Sequence, residues 1–157
     1  MEKIARFEKV SPEQYGKDGS LEYYDDIQLP KRATSGSAGY DFYLPFDLTL
    51  VEGEGTKIPT GIRVAMAEGW VLQIFPRSSL GFKYRLQLDN TVGIIDSDYY
   101  YADNEGHIII AIRNNGKKLI SLKKGDRFAQ GIFLPYGICE DDDVSDVRTG
   151  GFGSTDK

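Results

Sequence analysis

Short apolar segments, each cut off after four to six residues by glycine or by a polar turn residue, set the strongest limit on how this chain folds. Gly61-Ile62-Arg63-Val64-Ala65-Met66, Trp70-Val71-Leu72-Gln73-Ile74-Phe75, Ile108-Ile109-Ile110-Ala111-Ile112 and Gly131-Ile132-Phe133-Leu134 all have the length and composition of strands. No segment sustains a helical period. The pattern therefore predicts an all-β sandwich or barrel. The Trp70 segment alternates imperfectly, and the Ile108 run is apolar throughout, which predicts a strand buried on both sides. With 157 residues the chain has room for one core rather than two.

Several classes of function drop out on composition. Nineteen Lys and Arg against 24 Asp and Glu leave a formal charge of −5, which argues against a surface built on nucleic-acid phosphates. The lone Cys139 makes no intrachain disulfide, and the opening Met-Glu-Lys-Ile-Ala-Arg lacks the apolar core of a secretory signal, so the expectation is an intracellular, cytoplasmic protein. No run approaches the roughly 20 apolar residues of a membrane helix. The single His107 excludes zinc sites built on several histidines and leaves one imidazole on which any Ser-His-Asp mechanism would have to lean. Its setting, Gly106-His107-Ile108, suggests a residue at a strand edge. Residues 11–26 are polar and turn-rich and read as a surface insertion. The run Glu140-Asp141-Asp142-Asp143 reads as a solvated linker, followed by a tail with Gly150, Gly151 and Gly153 that stays mobile until something holds it.

Chemistry concentrates in residues 88–99, Leu-Asp-Asn-Thr-Val-Gly-Ile-Ile-Asp-Ser-Asp-Tyr. Asp96 follows the apolar run Val92-Gly93-Ile94-Ile95, an address where position is fixed and solvent is thin, as a general base requires. Strand alternation would set Asp98 on the same face, with the Tyr99 ring one step on. Taken alone, the same residues read as turns bracketing a short strand. Arg77-Ser78-Ser79 with Gly81 offers a guanidinium fork, two hydroxyls and close-approaching amides, which together suit a polyphosphate where no P-loop exists.

Five stretches stand in order: Ala38-Gly39-Tyr40-Asp41, Pro76-Arg77-Ser78-Ser79-Leu80-Gly81, residues 88–99, Gly125-Asp126-Arg127-Phe128-Ala129-Gln130, and Arg148-Thr149-Gly150-Gly151-Phe152-Gly153-Ser154-Thr155. The set resembles the five motifs of the trimeric dUTP pyrophosphatase (dUTPase) family and covers residues 38–155. The resemblance implies a distorted jelly-roll-like β-barrel or sandwich over residues 1–147, a short helix near residues 78–84, and a flexible glycine-rich lid over residues 148–157. It implies a homotrimer with shared active sites that hydrolyses dUTP to dUMP and pyrophosphate with Mg²⁺. Such an activity limits uracil in DNA and supplies dUMP for thymidylate synthesis.

Residue roles follow the same resemblance. Asp96 would activate the attacking water. Ser78 would contact the phosphate chain with Arg77, Ser79 and Gly81 around it, while Asn90 reads the uracil edge and Tyr99 packs beneath the deoxyribose. Asp41 would reach Mg²⁺ through water, since that ion keeps several of its waters. Gln130 joins the site, and Arg127 either joins it or fixes a strand edge. Arg148, Ser154 and Thr155 would meet the terminal phosphates, and Phe152 would stack on the base. Residues 100–106 are longer than the family's usual turn after Tyr99, and the fifth motif is one residue short after Arg148. Two alternatives stand beside this reading: a dCTP deaminase of the same fold, disfavoured by Ile95-Asp96-Ser97-Asp98-Tyr99, and a nucleotide-regulated module that binds a protein partner through residues 11–26 and 100–105.

Overall fold

A computed structural model describes residues 1–150 of the chain. Twelve strands and two seven-residue helices follow in order among them: β1 (Ala5–Lys9), α1 (Pro12–Asp18), β2 (Lys31–Arg32), β3 (Tyr40–Tyr43), β4 (Leu48–Leu50), β5 (Gly55–Pro59), β6 (Ile62–Met66), β7 (Trp70–Pro76), α2 (Ser78–Tyr84), β8 (Leu86–Leu88), β9 (Gly93–Ile95), β10 (Ile109–Asn114), β11 (Ile120–Leu122) and β12 (Arg127–Pro135). A five-stranded sheet runs β2-β3-β12-β7-β9, a three-stranded sheet runs β5-β10-β8, and β1-β6 and β11-β4 form separate pairs. Every pairing is antiparallel.

Phe42, Leu72, Ile74 and Phe128 from the large sheet and Ile58, Leu86, Ile110 and Ile112 from the small one join a single buried cluster. This is how two antiparallel sheets with one wet face each share a core. The fold is the jelly-roll-like all-β architecture expected, and α2 occupies the 78–84 stretch expected to be helical. Among the described residues no helix is long and apolar enough to cross a membrane.

Three local expectations are corrected. The Ile108 run is not buried on both sides: burial along β10 alternates, because Ile110 and Ile112 face the core while Ile109 and Ala111 line a surface cleft. Residues 11–26 stay largely at the surface, but not as an undocked, turn-rich insertion. Ser11 caps α1 by accepting the Gln14 amide at 3.1 Å, Pro12 needs no donor at the first helical position, and the inner face sends Gln14 and Tyr15 into the protein. Tyr15 is wholly buried, its ring centroid 5.9 Å from Tyr24 and 5.8 Å from His107. Apolar spacing within one seven-residue helix is too short to announce such a docked face.

The third correction is His107. It lies at 0% exposure before β10 rather than at a strand edge, with Nδ1 2.7 Å from Asp18 Oδ2 of α1. The Gly61 amide donates to Nε2 at 2.9 Å, so the ring's own proton sits on Nδ1 and Asp18 accepts it. Burial outweighs the neighbouring Asp18 and Glu105 charges and holds the imidazole below its ordinary value.

Candidate active site

The chain crosses between the two sheets at residues 89–92, because β8 pairs with β10 while β9 pairs with β7. Residues 90–99 therefore do not form a hydrogen-bonded hairpin. The crossing opens a cavity of about 440 Å³ whose walls include Ile74, Leu88, Asn90, Gly93, Ile95 and Asn104. Apolar walls with a few amides at the rim are what a planar heterocycle requires. Asn90 is exposed, its carbonyl accepts the Val92 amide at 2.7 Å, and its side-chain amide engages no group among the described residues.

β9 ends at Ile95, which is 2% exposed, and Asp96 follows as the residue capping a 3₁₀ turn over Ser97–Tyr101. Solvent is not thin there: the Asp96 side chain is 52% exposed. Strand alternation does not relate Asp96 to Asp98 either, since the strand has already stopped. Arg148 joins them instead, with Nη2 donating to Asp96 Oδ2 and Nε to Asp98 Oδ1, both at 2.8 Å. The Arg148 guanidinium also lies 5.9 Å from the centre of the Tyr99 ring. Tyr99 is 3% exposed rather than presented to solvent; its hydroxyl donates to the His107 carbonyl at 2.6 Å and accepts from Asn104 Nδ2 at 2.9 Å. Burial raises the phenol against the opposing Asn104 hydrogen bond.

The remaining motif residues gather elsewhere. Gln130 pairs in register with Asp41 on one side and Phe75 on the other, which brings β3, β12 and the end of β7 together. Arg127 Nη1 lies 3.4 Å from Asp41 Oδ2, a carboxylate only 13% exposed, and Gln130 Nε2 donates to the Pro76 carbonyl at 3.3 Å. Gly39 gives the Gln130 side chain its room here, since a Cβ would stand 2.4 Å from Gln130 Oε1 and push that amide aside. Arg77 starts α2 in an extended conformation, its amide bound to the Phe128 carbonyl at 3.2 Å and its carbonyl accepting from Leu80 and Gly81. Among the described residues no hydrogen bond or ion pair engages the side chains of Arg77, Ser78 or Ser79. Phe152, Ser154 and Thr155 lie outside the described residues.

The two groups stand at opposite ends of β7. Leu72 is opposite Ile95, so Asp96 falls near Val71, and Arg77 lies six residues further along, roughly 20 Å at strand rise. One copy of the chain thus holds the Asp96 carboxylate at one end of β7 and a cationic, hydroxyl-rich loop at the other. No cluster of three or more His, Cys, Asp or Glu suited to a metal occurs among the described residues. Sequence reasoning missed Asn104, which lines the cavity and holds Tyr99, and it missed the tie from Asp18 to His107. Asn104 had a signal, since it lies in the lengthened loop after Tyr99; Asp18 had none.

Fold and site together define a jelly-roll-like all-β protein with a partly apolar cavity and, apart from it, a cationic, hydroxyl-rich loop. The dUTPase family model matches residues 25–156, and the chain belongs to that family. It is 43% identical over 132 residues to the deoxyuridine 5'-triphosphate nucleotidohydrolase of Lactococcus lactis subsp. lactis, covering 82% of this chain and 88% of that protein. The corresponding protein of Tolumonas auensis is 38% identical over 139 residues, covering 83% and 89%. A crystal structure of dUTPase from Streptococcus mutans superposes with a TM-score of 0.70 at 36% identity, covering 85% of this chain and 98% of that one. A dUTPase from phage phi11 of S. aureus, 20% identical with a TM-score of 0.68, shares the fold and covers 92% of this chain and 98% of its own.

Proposed function

We propose that the chain hydrolyses dUTP to dUMP and pyrophosphate in active sites assembled from three copies, each lending a different part. The observation that carries the shared site is the separation along β7: a triphosphate whose α-phosphorus sits against Asp96 does not reach Arg77 and Ser78 of the same copy across roughly 20 Å, so a second copy supplies them. The relatives in L. lactis and T. auensis, named for the same substrate, support the reaction.

The base occupies the cavity between β9 and β10, with Asn90 on the uracil edge. A pocket whose polar groups stay unpaired with the wrong base discriminates strongly. Asp96 orients a water and takes its proton as the oxygen attacks the α-phosphorus; the bond from that phosphorus to the oxygen bridging the β-phosphate breaks, and pyrophosphate leaves. Arg148 engages Oδ2, so Oδ1 is the oxygen for the water. Arg77 and the Ser78 and Ser79 hydroxyls, with the amides near Gly81, receive the phosphate oxygens and spread the developing charge. Gln130 fixes the strand end beneath them. Arg148 covers Asp96 and the Tyr99 ring together, so a sugar reaches Tyr99 only when the tail lifts; Phe152, Ser154 and Thr155 would then close over the base and terminal phosphates.

Mg²⁺ fits as an ion carried mostly by the triphosphate. One acidic side chain beside the phosphate loop suits an ion that dehydrates reluctantly, and Asp41 would hold it through water. When bound it neutralises phosphate charge. The phi11 protein, alike in fold, is described with a coordinated structural Mg(II) ion.

The test mixes two crippled proteins. Asp96→Asn and Arg77→Ala variants, each nearly inactive alone, are denatured together and refolded, and pyrophosphate release from dUTP is measured beside the molecular mass. Recovered activity in a particle of three subunits is expected, because a mixed trimer contains sites with both residues intact. A monomer mass, or no recovery in a mixed trimer, overturns the shared site; wild-type release from dCTP in preference to dUTP overturns the substrate.

A further inference from the structure

Residues 102–107 tie together parts of the chain that no motif relates. Glu105 accepts from the Ser11 amide and hydroxyl at 2.8 and 2.6 Å; burial pushes its carboxyl up, but these bonds together with the nearby Arg63 and His107 hold it below the ordinary value. Arg63 donates to the Glu105 and Tyr100 carbonyls at 2.7 and 2.8 Å. Asn104 Oδ1 accepts from the Gly106 amide at 3.1 Å, and Gly106 itself has φ +70, with space for a Cβ blocked 2.6 Å away by the Tyr99 carbonyl. The loop thus closes directly over the backbone of Tyr99.

From α1 the path to the reacting end is short. Asp18 accepts from His107 Nδ1, the His107 carbonyl accepts from the Tyr99 hydroxyl, and the Tyr99 amide donates to the Asp96 carbonyl at 3.1 Å. The Asp103 amide donates to the Thr149 carbonyl at 3.0 Å, so the same loop also holds the backbone beside Arg148. Every link is short, and His107 and Tyr99 lie in the core, where a satisfied polar network fixes one arrangement. α1 precedes residue 25, where the family match begins, so this support comes from outside the matched span.

We infer that Asp18, acting through His107, is a positioning residue for the Asp96 turn. The α1 clamp sets where Tyr99 stands, and Tyr99, one 3₁₀ turn from Asp96, sets the height of that carboxylate over the cavity. The inference rests on the reading of Asp96 as the base and deepens it. Supporting groups of this kind keep a reacting carboxylate within a fraction of an ångström of its productive place. Losing one is felt in turnover before it is felt in binding, because the base cavity is walled mainly by other residues.

The chain's only histidine makes the clamp directly observable. In the full-length protein, nitrogen NMR of His107 should show one tautomer, protonated at Nδ1, whose signal moves when dUMP is added although the buried ring cannot touch it. Asp18→Ala should abolish that response and lower kcat for dUTP by about tenfold or more with KM within about twofold, as small misplacements of a reacting group do. Asp18→Asn retains an oxygen that accepts the Nδ1 proton and should return kcat to within about threefold of wild type. Ser11→Ala loosens the clamp at its other end and should lower kcat by a few fold at unchanged KM, which keeps the test open if Asp18→Ala does not fold. Wild-type kcat in Asp18→Ala or, where that variant does not fold, in Ser11→Ala overturns the proposal. Equal loss in Asp18→Asn and Asp18→Ala, or a loss that only tracks the unfolded fraction by circular dichroism, also overturns it. Absence of pyrophosphate release by the wild type would break the reading of the reaction instead; the His107 tautomer and its change in Asp18→Ala then decide the clamp alone.

Discussion

The two ends of β7 differ in how their polar groups are employed. At the Asp96 end Tyr99, Asn104, Glu105, His107 and Arg148 are all bound to other parts of the chain, several through partners near the N-terminus. At the Arg77 end the loop backbone is bound while the Arg77, Ser78 and Ser79 side chains engage nothing among the described residues. The first arrangement suits a group whose position decides the rate. The second suits a polyanion, because donors already satisfied internally would have to be released before they could bind it. Preorganised geometry and waiting charge are kept apart within one copy, and the proposed trimer is what would bring them together.

The largest expected effect comes from breaking the positioned end. Asp96→Asn preserves shape and the Arg148 contact at Oδ2 but cannot take a proton, so turnover should fall by roughly two to four orders of magnitude with dUMP affinity largely kept. Steady-state kinetics and calorimetric binding check this. At the waiting end, Arg77→Ala removes one cationic donor and should cost about 10²-fold in kcat/KM, as loss of one charge-stabilising donor does, with the unfolding midpoint hardly moved. A large stability loss there would mean that Arg77 supports the fold rather than the ligand.

Two buried tyrosines sharpen the contrast at smaller scale. Tyr99→Phe orphans the His107 carbonyl and Asn104 Nδ2 and should destabilise by about 1–3 kcal/mol in denaturant unfolding. Tyr15 has a buried hydroxyl with no partner among the described residues, and burial, aided by Tyr23, pushes it up to about 12. Tyr15→Phe should therefore be neutral or raise stability by about 1 kcal/mol. Acid supplies the last comparison. His107 has a folded value below its unfolded one, so its contribution is fully present above about pH 6.5 and is lost as pH falls through the folded value. Glu105, also held below its ordinary value, loses its contribution at lower pH still, in the same direction. Unfolding measured at pH 8 and pH 5.5 should show a lower midpoint in acid, and the difference should shrink in a His107→Gln variant.

Strand length, turn composition and the order of five motifs were readable from the chain alone, because each is a property of neighbouring residues. They were enough for the all-β class, for α2, and for singling out Asp96, Asn90, Ser78 and Arg77 as candidate site residues. Alternation also suggested that Asp96 and Asp98 share a face, but the strand stops at Ile95 and Arg148 joins the two carboxylates from 52 and 50 residues away. Likewise residues 11–26 looked like a surface insertion and residues 100–105 like a docking loop, and the fold packs the two against each other. Asp18 meets His107 across 89 residues and Ser11 meets Glu105 across 94. Partners that distant leave no periodic trace, since nothing about either residue's neighbours records what the other sheet or helix will bring beside it. The sequence determined which chemical groups this protein carries; only the tertiary structure decided which are held still and which are left waiting, because hydrogen-bond partnership depends on proximity in space.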